Sequence, residues 1–116
     1  MQVQLNTDAN VQGRDSLAAW AERELNDKLA RFRDRITRIE VHLSDTSAPR
    51  IGAHDKRCVI EARLARRRPI TVSHDAGKVG DAFDGAADKL VRALDTVLGR
   101  ARDARGRKSI RGDAGE

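Results

Sequence analysis

Three runs between residues 38 and 73 decide the fold: Arg38-Ile39-Glu40-Val41-His42-Leu43, Arg57-Cys58-Val59-Ile60-Glu61-Ala62-Arg63-Leu64 and Ile70-Thr71-Val72-Ser73. In the first, Ile39, Val41 and Leu43 alternate with Arg38, Glu40 and His42. In the second, Cys58, Ile60, Ala62 and Leu64 alternate with Arg57, Val59, Glu61 and Arg63, and the third repeats the pattern over four residues. Successive side chains of a strand point to opposite faces, so a period of two predicts half-buried strands that share one apolar face. Ser44 to Asp55, with Pro49 and Gly52, reads as a loop, and Arg66-Arg67-Arg68-Pro69 as a basic turn. Connections of this length predict an antiparallel meander with one face solvated.

Outward from this block, Gln2-Val3-Gln4-Leu5-Asn6 alternates in the same way and predicts a first strand, ended by a polar stretch through Gly13. Asp15 or Ser16 can cap a following helix, whose apolar stripe is Leu17, Trp20, Ala21, Leu25, Leu29 and Phe32 and whose end falls near Arg33 or Asp34. After the fourth strand, Ala76 to Gly80 reads as a loop. A long helix follows with Phe83, Ala86, Leu90, Leu94, Val97 and Ala101 inward. The order β-α-β-β-β-α, with one apolar sheet face and two amphipathic helices to cover it, predicts an α+β two-layer sandwich: a four-stranded sheet with two helices on one face. Residues 1–102 form the expected domain, and 103–116 a basic, flexible C-terminal tail.

The chain has 116 residues, 39% of them hydrophobic, which suits one domain with a modest core. One Trp, two Phe and no Tyr argue against base recognition by rows of stacking aromatics. Up to Gly99 there are 17 basic and 15 acidic side chains, whereas Arg100 to Arg111 holds six basic and one acidic. That distribution reads either as a footprint for a polyanion, nucleic acid or an anionic membrane surface, or as a solubilising tail. Cys58 is the only cysteine and reads as a small core residue. With no long apolar segment and no signal-peptide pattern, a cytoplasmic location is the default expectation.

Gly85, Lys89, Arg92, Thr96 and Arg100 are spaced to lie along one stripe of the last helix, with Gly85 leaving room for a phosphate backbone. An ordinary solvated face is the competing reading, since Asp84, Asp88 and Asp95 can pair with those cations at i,i+4. The first helix offers Lys28 and Arg31, with Arg23 nearby. If the two helices lie side by side, these border a groove with Lys89 and Arg92. The Arg66–Arg68 turn either touches phosphate or is a solvated hairpin tip. His42, His54 and His74 lack the paired spacing of a zinc site, and a cluster of His54 and Asp55 with Asp45 is the weak metal alternative. Gly77-Lys78-Val79-Gly80 lacks the length and the Ser or Thr of a P-loop. No nucleophile sits beside a base, so no enzyme activity, cofactor, metal or small-molecule substrate is expected.

The chain resembles the ribosome hibernation-promoting factor and ribosome-associated inhibitor family, once called sigma-54 modulation proteins. The likeness is carried by Gln2-Val3-Gln4-Leu5-Asn6, by Phe32 followed by Asp34-Arg35-Ile36 and Val41-His42-Leu43, and above all by Ala82-Phe83-Asp84-Gly85-Ala86-Ala87-Asp88-Lys89-Leu90. It implies a fold similar to double-stranded RNA-binding domains. It also implies binding in the tRNA and mRNA channel of the small ribosomal subunit, mostly to ribosomal RNA backbone, with inhibition of translation in stress or stationary phase. No membrane partner is implied. Lys89 and Arg92 match basic family positions on the last helix and Lys28 one on the first, while Arg100 extends the stripe more loosely. The chain departs from the family pattern at Gly80, where many members carry an aromatic, and at Asp95, which interrupts the basic face. Ending soon after the last helix, it is expected to resemble the short forms. The alternatives are a general module for structured RNA and a protein-interaction domain.

Overall fold

The computed structural model describes residues 1–8, 11, 13–45 and 55–99. Arg100, Ala101, His54 and the expected tail lie outside the described residues. Strands β1 (Gln2–Thr7), β2 (Ile36–Asp45), β3 (Lys56–Leu64) and β4 (Ile70–Ala76) form one sheet in the order β1-β2-β3-β4. β2, β3 and β4 make the expected antiparallel meander, and β1 runs parallel to β2. A parallel neighbour requires a crossover rather than a hairpin, and helix α1 (Arg14–Lys28) with a 3-10 segment (Ala30–Arg35) supplies it. Helix α2 (Val79–Leu94) follows β4.

Register explains the layering. Leu5 pairs with Val41, Val41 with Ile60 and Ile60 with Val72, so one apolar row crosses all four strands. Ile39, Val41, Cys58, Ile60 and Ala62 are fully buried on that face. α1 packs on β1, and α2 on β3 and β4. The helices meet where Trp20 and Phe83 lie 4.8 Å apart at a 55° tilt. The opposite sheet face is solvated and ion-paired: Arg38 bonds Glu40 and Gln4, Arg57 pairs with Asp75, and Arg63 with Glu61.

Three local expectations are corrected. Neither Asp15 nor Ser16 caps α1. The helix starts at Arg14 behind Gly13, whose φ of 73° is the left-handed entry that glycine adopts without strain. Asp15 falls inside the first turn, where a carboxylate suits the helix dipole. The helix also stops at Lys28, before the expected Arg33 or Asp34, and the chain tightens to 3-10. Three residues per turn stack positions i and i+3, which keeps both Leu29 and Phe32 buried while the chain turns into β2. At the other end, α2 opens into a wide i→i+5 turn, Asp95–Gly99, that buries Leu98 while Val97, expected inward, packs half-buried against the core.

The fourth correction concerns Gly85. Its missing side chain is not open to a phosphate, because a Cβ built there would fall inside the His74 imidazole. His74 sits on β4, opposite Cys58 and on the helix-covered face, and its ring fills the space that Gly85 leaves.

Gly→Ala inside a helix ordinarily gains about 1 kcal/mol. Here Gly85→Ala lowers the urea midpoint, because the imidazole must swing out. In a His74→Ala background the same change raises the midpoint, and an identical sign in both backgrounds contradicts the packing described. Burial also pushes the Cys58 thiol up to about 12 from its ordinary value near 9. At pH 8 only about one native molecule in ten thousand carries the thiolate, the form that reacts. Labelling by Ellman's reagent therefore proceeds at the unfolding-limited rate and becomes immediate in denaturant. Because the unfolded chain releases this proton first, Cys58 favours the fold below about pH 9, and that contribution fades as the pH rises toward 12. Fast labelling of the native protein at pH 8 contradicts this account.

Candidate nucleic-acid interface

The topology sends distant arginines to one end of the molecule. Ile36, the first residue of β2, pairs with Leu64, the last of β3, and the Ala65 amide donates to the Arg35 carbonyl at 3.1 Å. β4 starts beside the same edge, where Ala62 pairs with Ile70. α2 returns to it, since Asp95 at its exit meets Arg31. The end of the 3-10 segment, the β3–β4 turn and the exit of α2 are thus neighbours. Together they bring Arg31, Arg33, Arg35, Arg66, Arg67 and Arg68 to one pole, with Arg92 a turn back along α2. Arg66 adopts φ 63°, a left-handed conformation that costs a non-glycine residue roughly 1 kcal/mol, and its side chain is exposed.

The opposite pole is built from carboxylates closed on themselves. The Asp45 amide donates to Asp8 Oδ2 at 3.2 Å, and Lys56 Nζ lies 2.9 Å from Asp55 and 3.3 Å from Asp45. The hydrogen bond that Lys56 donates to Asp55, aided by Asp45, holds the Lys56 pKa above its ordinary value. The carboxylates weighed as metal ligands with His54 are therefore engaged by an ammonium group.

Of the six cations singled out in the sequence, the structure describes five and separates them. Lys28 Nζ lies 3.7 Å from Asp88 across the seam between α1 and α2. Arg31 makes a bidentate pair with Asp95, at 2.8 and 3.0 Å, and its guanidinium stacks 4.4 Å from the Phe32 ring. The Asp95 hydrogen bonds hold the Arg31 pKa above its ordinary value. Lys89 leaves α2 on the other flank and donates at 2.8 Å to the Ser73 carbonyl of β4, satisfying an edge-strand acceptor. It therefore does not border a groove with Lys28. Arg92 is exposed between these flanks and carries no ion pair among the described residues. Arg23 stands on the outer crest of α1 in an open groove with Ala19, Glu22, Asn26 and Asp27, away from the seam. Arg100 lies outside the described residues.

The interface thus reads as Lys28, Arg31 and Arg92 along the helix seam, leading to the arginine pole. Arg35 was missed by charge spacing, yet it joins Arg31, Phe32, Asp34, Leu98 and Gly99 around a cleft of about 230 Å³. Its only sequence signal was the Asp34-Arg35-Ile36 likeness, since nothing local shows that the strand start faces the exit of α2. Among the described residues no charged side chain is fully buried and no metal-ligand cluster occurs. No described helix is long and apolar enough to cross a membrane.

A four-stranded mixed sheet with both helices on one face is also the fold of the Protein Y N-terminal domain. The structure is similar to the N-terminal domain of Protein Y from Thermus thermophilus, with a TM-score of 0.66 and 22% identity over 83% of this chain and 98% of that one. It is also similar to a ribosomal subunit interface protein from Coxiella burnetii, with a TM-score of 0.62 and 19% identity over 85% and 99% of the two chains. No curated protein sequence matches significantly. The family model described as sigma 54 modulation protein / S30EA ribosomal protein matches residues 5–102, and the chain belongs to that family.

Proposed function

We propose that this protein is a cytoplasmic ribosome hibernation factor. It binds ribosomal RNA backbone in the tRNA and mRNA channel of the small subunit, inhibits translation during stress or stationary phase, and catalyses no reaction. The observation that carries the reading is the arginine pole joined to the helix seam, in a chain whose family is ribosome-associated. Arginine forks suit phosphate oxygens, and few aromatics are present to stack on bases, so recognition rests on charge and shape. The β3–β4 turn with Arg66–Arg68, Arg92 and the seam residues Lys28 and Arg31 make the phosphate contacts. Lys89 contributes by fixing the β4 edge beside α2.

Co-sedimentation with purified small subunits tests this. Binding is expected at low salt and falls steeply as salt rises, because each neutralised phosphate releases counterions. The triple variant Arg66→Glu, Arg68→Glu, Arg92→Glu touches only exposed side chains and leaves the core intact. It is expected to lose binding and to flatten the salt slope by about one for each contact removed. Excess duplex RNA does not displace the protein, whereas a general RNA-binding module is displaced. Absence of co-sedimentation at low salt overturns the proposal.

A further inference from the structure

We propose that Asp95 is a built-in phosphate competitor: in the free protein its carboxylate occupies the guanidinium fork of Arg31, and an RNA phosphate takes that fork on binding. The inference rests on the RNA-binding reading above and names how that interface is kept closed. A carboxylate presents two oxygens to guanidinium nitrogens much as a phosphate does. Asp95 uses both, at 2.8 and 3.0 Å.

The setting is one that exchanges rather than locks. The two side chains remain 50% and 48% exposed, so water and a diffusing anion reach the pair. Exposed pairs of this kind contribute little to stability. Arg31 keeps its orientation after Asp95 leaves, because the Phe32 ring lies under its guanidinium at 4.4 Å and Phe32 is itself buried. A landing place adjoins the pair: the cleft of about 230 Å³ lined by Arg31, Phe32, Asp34, Arg35, Leu98 and Gly99. A phosphate entering it meets a second guanidinium, that of Arg35, beside the exposed carboxylate of Asp34, so the exchange is between nearly balanced pairs and not a one-way capture. Asp95 stands at the exit of α2, where the helix opens into the wide Asp95–Gly99 turn. Such wide turns recur at functional sites.

The competitor makes a prediction of unusual sign, in that removing a hydrogen-bonded partner tightens binding. Affinity for purified small subunits, measured by fluorescence anisotropy across a salt series, is expected to rise roughly two- to five-fold for Asp95→Asn, the range that a displaced exposed pair allows. The salt slope is expected to steepen by up to about one. Asp15→Asn, on the first turn of α1, carries the same charge change and corrects for overall attraction. In an Arg31→Gln background the gain from Asp95→Asn shrinks to that of the Asp15 control. A gain no larger than the control, or one undiminished by Arg31→Gln, overturns the proposal. If Asp95→Asn unfolds, the wild-type protein still decides: the Asp95 carboxyl carbon resonance moves on addition of subunit RNA if the fork changes hands, and stays in place if it does not. Failure of the wild type itself to bind at low salt would instead defeat the functional reading.

Discussion

A single sheet with one apolar face has to be covered on that face, and most of this structure follows from that constraint. Ile39, Val41, Cys58, Ile60 and Ala62 are fully shielded, and full burial of each large aliphatic side chain is worth about 1.5–3 kcal/mol. Two helices must therefore lie on the same side. Trp20 and Phe83 close the layer between them, and every connection is pushed to one of the two ends of the strands. Because β2, β3 and β4 alternate in direction while α2 runs back along β4, the start of β2, the β3–β4 turn and the exit of α2 meet at one end. The arginine pole is thus a by-product of hydrophobic coverage combined with strand direction.

Magnitudes separate what holds the fold from what is available for other work. The pairs across the helix seam, Lys28–Asp88 at 3.7 Å and Arg31–Asp95 at 2.8 Å, are solvent-reached, and exposed pairs are typically worth 0–1 kcal/mol. One buried aliphatic residue outweighs both. The helices are held in place by Leu25, Leu29, Phe83, Leu90 and Leu94, all shielded from solvent. The charges above the seam can then change partners without disturbing the layer beneath. Lys89 differs, because its ammonium satisfies a backbone carbonyl on an edge strand, and unsatisfied edge groups invite non-native pairing.

Period two and the apolar spacing of α2 were legible because they depend only on which face a residue occupies. The four strands, the meander, both helices and the layering were all readable on that basis. The early exit from α1 was not, because whether Leu29 and Phe32 share a face through α or 3-10 geometry depends on how far the chain must reach to β2. The role of Gly85 was misread for a related reason. A missing side chain signals that something lies close, and sequence does not reveal that it is His74 of β4 rather than a ligand. Spacing likewise placed Lys89 and Arg92 on one stripe without telling which flank of α2 faces β4 and which faces α1. Within the described part of the stripe, Lys89 holds a β4 carbonyl, Arg92 is exposed, and Asp88 and Asp95 form an acidic flank beside them. The pole was invisible locally, since Arg31, Arg35 and Arg66 belong to separate segments joined only by the register of β2 with β3.

The two ends of the molecule differ in how their charge is disposed. At the Asp45 end, Asp45 and Asp55 enclose Lys56 while Asp8 takes a backbone amide, so the charges there are largely matched at short range. At the other end Arg31 is matched by Asp95 and Asp34 lies nearby, but Arg66, Arg67 and Arg68 lie in an exposed turn and make no ion pair among the described residues. Matched charges produce fields that cancel within a few ångströms, whereas unmatched ones of one sign add and reach about a Debye length, some 8 Å at physiological salt. The near balance of 17 basic and 15 acidic side chains before Arg100 therefore understates the field that a polyanion meets. Under the proposed function, orientation follows from this asymmetry: a phosphate surface would draw in the arginine pole first, and the helix seam carrying Lys28, Arg31 and Arg92 would come into contact behind it.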